Sequence, residues 1–226
     1  YPDVWIFGEV IHGDYASIVR ASGMDSVTQY ELWKGIWSSI ESRNFFELDH
    51  ALGRHNEFSD AFTPMTFVGN HDVTRIASRV GQDGAVLATA ILATIGGIPL
   101  IYYGDELAYR GVKEERFGGD DDIRPVFPAS PADLSNLGAD TLRAHQSLLG
   151  LRRRHPWLVD ARTESLDLTN ERYVYRTGVP GVEPLIVELD VRDGCSVLIR
   201  EAGQVVWSSG CLLYTSDAAD DMQCVD

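Results

Sequence analysis

Three short apolar runs in this chain each end in side chains that can carry or exchange protons. The runs span residues 3–10, 65–69 and 98–103. The polar side chains at their ends are Glu9 for the first, Asn70, His71 and Asp72 for the second, and Asp105 and Glu106 for the third. A continuous apolar run of this length is typical of a parallel strand buried on both faces. We therefore expect the three polar ends to lie on one rim of a sheet.

Glu9 and Asp72 form the pair of carboxyl groups with the clearest chemical use. If the sheet closes into a barrel, the C-terminal ends of its strands converge on the face where barrel active sites lie. Two carboxyl groups across such a mouth suit glycosidic bond cleavage, in which one acts as a protonated acid and the other stays ionised. On its strand alone, Glu9 is equally consistent with a structural partner of an Arg or of a helix N-terminus.

The pair His71 and Asp72 has other interpretations that the residues leave open. A metal-dependent phosphohydrolase of the His-Asp type needs further His and Asp ligands on helices, whereas this pair follows a strand. A nucleophile triad needs a serine, and no Gly-x-Ser-x-Gly segment is present. The two residues could also simply cap the helix that follows them.

Strand and helix signals alternate through the first two thirds of the chain. Helices are predicted over residues 15–22, closed by Gly23, over 33–48, over 85–94 with Asp83 as N-cap, and over 142–154. Residues 24–32 have the pattern of a weaker strand between the first two helices. This rhythm predicts a parallel β/α architecture.

Three groups of residues have types that often occur in functional sites, but their sequence context favours a structural role. His50, His55 and Asp60 match no metal-ligand spacing, so we expect them in a solvated loop. The tryptophans of residues 33–48 are expected to pack in the core. Arginines 152–154 are expected to end a helix, where its dipole favours cations.

The pattern changes after His155 and Pro156. Short strands are predicted at residues 163–168, 173–177, 185–190, 196–199 and 204–208. We therefore place domain boundaries at 1–156 and 157–210. Residues 211–226 resemble translated read-through of a sequencing adapter, and we treat them as a non-native tail.

Composition limits the partners. The net charge of −15 argues against a nucleic acid or an anionic membrane surface, since both need clustered Lys and Arg. No apolar run reaches the roughly 20 residues that span a bilayer.

Cys195, Cys211 and Cys224 have no metal-ligand spacing. The localisation stays unknown, although an unpaired Cys195 slightly favours a reducing cytoplasm.

Three motifs resemble one family. Residues 67–72, Phe-Val-Gly-Asn-His-Asp, resemble the strand-seven signature of the α-amylase family, glycoside hydrolase family thirteen. Residues 6–10 resemble its strand-five signature, and residues 97–106 its strand-eight segment. The resemblance implies an α/β fold, a partial (β/α)8 TIM barrel holding strands five to eight, followed by a truncated all-β sandwich domain.

The resemblance also implies roles for individual residues. Glu9 would be the general acid/base, and Asp72 would stabilise the oxocarbenium-like transition state. Substrate binding would fall to His71, Asn70 and Arg124, the last from a loop that only loosely matches a family loop around the sugar subsites. Asp105 and Glu106 are expected to support the rim rather than to catalyse.

Some family features have no match in these residues. The nucleophilic Asp, with an Arg two residues before it, belongs to strand four and would precede Tyr1, as would most calcium ligands. We therefore expect a fragment that is inactive alone, no metal site in the chain, and calcium only as an option for a longer parent. The implied substrate is an α-glucan or malto-oligosaccharide. The alternatives are a transglycosylase, a trehalose- or sucrose-acting relative, or a non-catalytic sugar-binding or scaffold protein.

Overall fold

The computed structural model describes residues 4–134 and 136–209. Its first part contains four short strands: β1 Phe7–Gly8, β2 Ser26–Val27, β3 Met65–Phe67 and β4 Ile98–Leu100. β1 pairs in parallel with β2, and β3 pairs in parallel with β4. A parallel bridge between Thr28 and Met65 joins the two pairs. The four strands therefore follow one another side by side, as the parallel β/α prediction requires.

Five α-helices accompany these strands in the described residues: α1 Tyr15–Ser22, α2 Tyr30–Ser42, α3 Phe46–Ser59, α4 Ile76–Thr94 and α5 Ala139–Arg154. Short 3-10 turns occur at Asp105–Leu107, Asp121–Ile123, Pro131–Asp133, Asn136–Gly138 and Pro156–Asp160. The predicted end of α1 is confirmed, since Gly23 adopts a left-handed φ of 71°. None of the helices in the described part of the chain is long and apolar enough to cross a membrane.

The segment around α2 and α3 differs from its prediction in three ways. The strand predicted over residues 24–32 is wrong beyond Ser26–Val27, because the Gln29 side chain accepts the N–H groups of Glu31 and Leu32 and starts α2. The single helix over 33–48 is wrong, because Arg43 takes a left-handed φ of 54° and divides it. The solvated loop is wrong too, since residues 50–59 belong to α3.

Helix α4 begins earlier than predicted. It starts at Ile76 and is interrupted at Gly81, whose φ of 74° lies outside the helical region. Asp83 therefore lies inside the helix and is not its N-cap. The helix ends against Arg152, whose guanidinium donates to the carbonyl oxygens of Ala93, Ile95 and Gly97. Since the last carbonyls of a helix lack partners within it, this arginine caps α4 from outside.

The second part of the described chain is a five-stranded antiparallel sheet. Its strands are β5 Arg162–Leu168, β6 Arg172–Gly178, β7 Leu185–Asp190, β8 Ser196–Glu201 and β9 Gln204–Ser208. Each strand pairs with the next along the chain. All five predicted strands are present, but the described residues form one sheet and not the two layers of a sandwich.

Helices cover the apolar face of this sheet where a sandwich would place a second sheet. Tyr173 and Tyr175 are fully buried and belong to the same core cluster as the apolar residues of α2, α3 and α4. The Tyr173 hydroxyl donates to Asp49 of α3, and the Tyr175 hydroxyl bonds Thr94 of α4 at 2.7 Å. The predicted tail, residues 211–226, lies outside the described residues, and the predicted domain boundaries stay predictions.

Strand β1 is less buried than its apolar sequence suggests. The exposed apolar side chains before and in it are Val4, Trp5, Ile6 and Phe7. Among the described strands β1 has a neighbour only on its β2 side, so its other edge and much of its surface stay open. In contrast, Met65, Thr66 and Phe67 of β3 are all buried. The expectation of a strand buried on both faces is thus met for β3 and wrong for β1. It is met only in part for β4, where Ile98–Leu100 are half-buried.

The tryptophans of α2 contribute to packing, as predicted. Trp33 stacks on Phe67 with ring centroids 6.2 Å apart, and Trp37 lies under the Arg79 guanidinium at 3.9 Å. Both indoles are partly buried against apolar clusters of the core.

His55 is a buried titratable group that joins α3 to the start of β4. It is fully buried, and its Nε2 lies 3.1 Å from the carbonyl oxygen of Gly96. Burial lowers the pKa of His55 from 6.5 to about 4, although the Gly96 hydrogen bond opposes the shift. The imidazole is therefore neutral in the folded chain at pH 7.

We predict that His55 makes the fold sensitive to mild acid. The unfolded chain protonates His55 near pH 6.5 and the folded chain only near pH 4, so stability is lost as the pH falls between these values. Between pH 7 and pH 5 this residue should lower the free energy of unfolding by about 2 kcal/mol. Urea denaturation at both pH values measures the loss.

A matched pair of variants isolates this contribution. His55→Gln should remove about 2 kcal/mol of the pH dependence, whatever its effect on stability at pH 7. His50→Gln, on the exposed side of the same helix, should leave the pH dependence unchanged. Equal pH dependence in the wild-type chain and His55→Gln would show that His55 is not held neutral by burial.

Candidate active site

Hydrogen bonds connect the polar ends of β1 and β3. The Tyr30 hydroxyl donates to Glu9 Oε1 at 2.8 Å and accepts from Asn70 Nδ2 at 2.8 Å. The Asn70 side chain in turn accepts the backbone N–H of Asp72 through Oδ1, also at 2.8 Å. Glu9 and Asp72, predicted from the sequence to share a rim, are thereby linked through two intervening side chains.

The backbone around Glu9 is fixed by Thr28, which follows β2. The Thr28 N–H donates to the carbonyl oxygen of Gly8 at 3.1 Å, and the Thr28 hydroxyl oxygen accepts the N–H of Val10 at 2.9 Å. These contacts hold the residues on both sides of Glu9. The Glu9 side chain itself is exposed to solvent, so a ligand can reach it.

Tyr30 is a member of this site that the sequence analysis missed. It was placed in a polar, weak strand, whereas it is the first residue of α2 and is 7% exposed. Its ring packs edge-on against Phe67 at 4.9 Å and Trp33 at 5.6 Å. Burial and then the Glu9 carboxylate raise the pKa of Tyr30 well above its ordinary value, so the hydroxyl keeps its proton. The signal available in the sequence was a tyrosine three residues before the predicted amphipathic helix, in the segment that follows the strand next to Glu9.

Asp72 lies between a cation and an imidazole. Its Oδ1 pairs with Arg124 Nη2 at 2.7 Å, and its Oδ2 lies 3.3 Å from His71 Nε2. Arg124 also donates through Nε to the carbonyl oxygen of His71 and pairs with Asp120 at 2.8 Å. The structure therefore brings together all five residues predicted for the site: Glu9, Asn70, His71, Asp72 and Arg124.

A buried ion pair supports this rim from behind. Arg75 and Asp105 are 0% and 2% exposed, and Arg75 Nη1 lies 3.0 Å from Asp105 Oδ1. The Arg75 guanidinium also lies over the Tyr102 ring at 4.2 Å. Burial raises the pKa of Asp105 to about 6, because the arginine offsets only part of the desolvation. Asp105 is therefore ionised at neutral pH and acts as the expected structural support.

Asp105 also explains the glycine before Asn70. A Cβ atom added at Gly69 would lie 2.1 Å from Asp105 Oδ2, so no side chain fits there. The β3 end can thus approach the Arg75–Asp105 pair directly, and the turn that presents residues 70–72 is fixed from below. Arg75 itself was missed by the sequence analysis, because the polar motif after β3 was taken to end at Asp72.

Acidic, histidine and cysteine side chains are the candidate metal ligands among residues 4–134 and 136–209. No group of three or more His, Cys, Asp or Glu side chains in this part of the chain is placed to hold a metal ion. His50, His55 and Asp60 do not form such a group.

Protein-family comparison identifies the first two thirds of the chain. Residues 1–163 match the family model described as "Alpha amylase, catalytic domain". Alpha-amylase 3 of Dictyoglomus thermophilum is 32% identical over 126 residues, which is 51% of this chain and 24% of that protein. Maltogenic alpha-amylase of Bacillus acidopullulyticus is 30% identical over 169 residues, covering 70% and 27% respectively. The chain thus spans about a quarter of the length of these relatives.

Solved structures give the same fold. The structure of AmyP in complex with maltose superposes with a TM-score of 0.69 at 16% identity, covering 81% of this chain and 44% of that one. The alpha-amylase from H. orenii gives a TM-score of 0.67 at 21% identity, covering 83% and 43%. The described strands and helices accordingly form part of a TIM barrel, followed by an antiparallel sheet. With its catalytic-domain match over residues 1–163 of 226, the chain belongs to the α-amylase family.

Proposed function

We propose that the chain is the C-terminal part of a retaining enzyme that cleaves α-glucosidic linkages in starch-like glucans or malto-oligosaccharides. In this proposal β1 to β4 are strands five to eight of the barrel. The observation that carries it is the hydrogen-bonded connection that runs from the Glu9 carboxyl group through Tyr30 and Asn70 to the backbone of Asp72. It supports placing an acid, Glu9, and a second carboxyl group, that of Asp72, on one rim, as cleavage of a glycosidic bond through an oxocarbenium-like transition state requires. Relatives named as α-amylases, and structures of AmyP with maltose and maltotriose, support the substrate class.

Glu9 would perform the proton transfers. As the bond between the sugar C1 and the glycosidic oxygen breaks, Glu9 gives its proton to that oxygen, and the leaving sugar departs with a hydroxyl group. A carboxylate nucleophile forms the new bond to C1. Glu9, now ionised, then takes a proton from water as the water oxygen attacks C1 and releases the nucleophile. The exposure of Glu9 and the fixed backbone on both sides of it suit this role.

Asp72 would stabilise positive charge on the sugar ring and bind its hydroxyl groups. Its two oxygens are already oriented by Arg124 and His71. Asn70 and His71 would donate hydrogen bonds to the same sugar unit, and Arg124 would limit the subsite from the loop that follows β4. Calcium is proposed only as an option for a longer parent protein.

Transfer to a sugar acceptor is the second candidate reaction. The 4-alpha-glucanotransferase of Thermotoga neapolitana is 43% identical to this chain, although over only 80 residues and 34% of the chain. Water and a sugar hydroxyl can both attack the same glycosyl-enzyme intermediate, so Glu9 would serve either reaction as base. Product lengths from maltotriose distinguish them, since transfer gives products longer than the substrate.

The proposal predicts what precedes the Tyr1 codon in the gene. A retaining mechanism needs a nucleophile, and the upstream sequence should encode a strand ending in Arg-x-Asp. Sequencing the genomic region upstream of the codon tests this directly. Another residue in place of that Asp would favour a sugar-binding or scaffold protein over an enzyme.

The extended protein should depend on Glu9 for turnover. Glu9→Gln keeps the shape and the hydrogen bond from Tyr30 but cannot donate the proton, so kcat on malto-oligosaccharides should fall by at least about 100-fold. The affinity for maltotriose, measured by calorimetry, should stay within about threefold. The 226-residue chain alone should show no turnover.

Glu41→Gln is the matched control. It makes the same chemical change at an exposed position near the end of α2, and it should leave kcat unchanged. Full activity in Glu9→Gln, with the melting temperature of the wild type, would remove Glu9 from the role of acid and base.

A further inference from the structure

We propose that Tyr30 is the positioning residue that orients Glu9 for proton transfer, an inference that rests on the function proposed above. Thr28 directly follows β2, and Tyr30, two residues later, is the first residue of α2. Thr28 holds the backbone on both sides of Glu9, while Tyr30 holds its carboxyl group. One three-residue segment therefore fixes both the main chain and the side chain of the acid.

The direction of every hydrogen bond in this connection follows from its far end. The backbone N–H of Asp72 can only donate, so the side-chain atom of Asn70 facing it must be the carbonyl oxygen. The Asn70 amide group then faces Tyr30 and donates to its hydroxyl oxygen. A hydroxyl has one proton, and with Asn70 donating to its oxygen, that proton points to Glu9 Oε1.

Because the Tyr30 hydroxyl donates to Oε1, the two carboxyl oxygens of Glu9 have different roles. Oε1 is held as an acceptor, so the transferable proton belongs on Oε2. When Oε2 gives its proton to the leaving oxygen, the negative charge that develops on the carboxylate strengthens the bond from Tyr30. The hydrogen bond from Tyr30 therefore strengthens as the proton leaves Glu9. An interaction that is stronger in the transition state than in the bound substrate lowers the activation barrier.

The surroundings keep Tyr30 in its donor form. The charged groups that act on the Tyr30 hydroxyl are the carboxylates of Glu9 and Asp72. Both carboxylates, with burial, raise the pKa of Tyr30, and the ring is held by Phe67 and Trp33. The hydroxyl therefore does not transfer its own proton and acts only by orienting Glu9.

The decisive experiment compares two substrates on Tyr30→Phe in the extended enzyme. A malto-oligosaccharide has a poor leaving group that needs protonation, whereas α-maltosyl fluoride loses fluoride without an acid. We expect kcat/KM for the oligosaccharide to fall by roughly 10- to 100-fold, and kcat/KM for the fluoride by less than about threefold. Both values come from the same protein sample, so any loss of folded protein cancels in their ratio.

Tyr175→Phe is the matched control. It also removes a buried tyrosine hydroxyl, here one bonded to Thr94 far from the rim, and it should leave the ratio of the two values unchanged. Equal losses on both substrates in Tyr30→Phe, or no loss on either, would overturn the positioning role while leaving Glu9 as the acid. Full activity of Glu9→Gln would instead overturn the proposed function and this inference with it.

Discussion

The site depends on the parallel bridge between Thr28 and Met65, because this bridge brings two separate strand pairs together. Glu9 follows β1, which pairs with β2, and residues 70–72 follow β3, which pairs with β4. The N–H of Gln29 also donates to the carbonyl oxygen of Met65 at 2.9 Å. Since Tyr30 is the next residue, the same junction that aligns the strands delivers the hydroxyl that joins Glu9 to Asn70.

The second requirement is a rigid base beneath the turn of residues 70–72, which the Arg75–Asp105 pair supplies at an energetic cost. Removing two charges from water is expensive, and a single ion pair seldom repays it. Here the Tyr102 ring lies over the guanidinium, and the Tyr103 carbonyl accepts from the same arginine. A hydrophobic pair could be more stable, but it would not direct polar atoms at fixed positions under Gly69. The buried charges are thus better explained by the geometry of the site than by stability.

The polar ends of the apolar runs could be predicted from the sequence because they depend on local patterns, whereas the roles of the site residues are implied only by the family resemblance. An apolar run followed by Asn70, His71 and Asp72 identifies a buried strand and its polar end, whatever the strand pairs with. Gly23 marks a helix end for the same local reason. Tyr30 and Arg75 were not predicted because their partners, Glu9 and Asp105, are 21 and 30 residues away along the chain. His55 shows the same limit, since its burial depends on Gly96, 41 residues later.

The exposure of β1 connects the proposed chemistry to the rest of a barrel. Active sites of barrel enzymes lie at the C-terminal ends of the strands, which only a closed barrel brings together on one face. In the described chain Trp5 and Phe7, which precede Glu9, stand exposed and tilt together with ring centroids 5.3 Å apart. In the proposed enzyme a further parallel strand would pair with the open edge of β1 and cover these rings. Phe7 lies two residues before Glu9 and therefore on the same face of the extended chain. The strand that covers Phe7 would then also come close to Glu9, so barrel closure and the completion of the site would depend on the same surface.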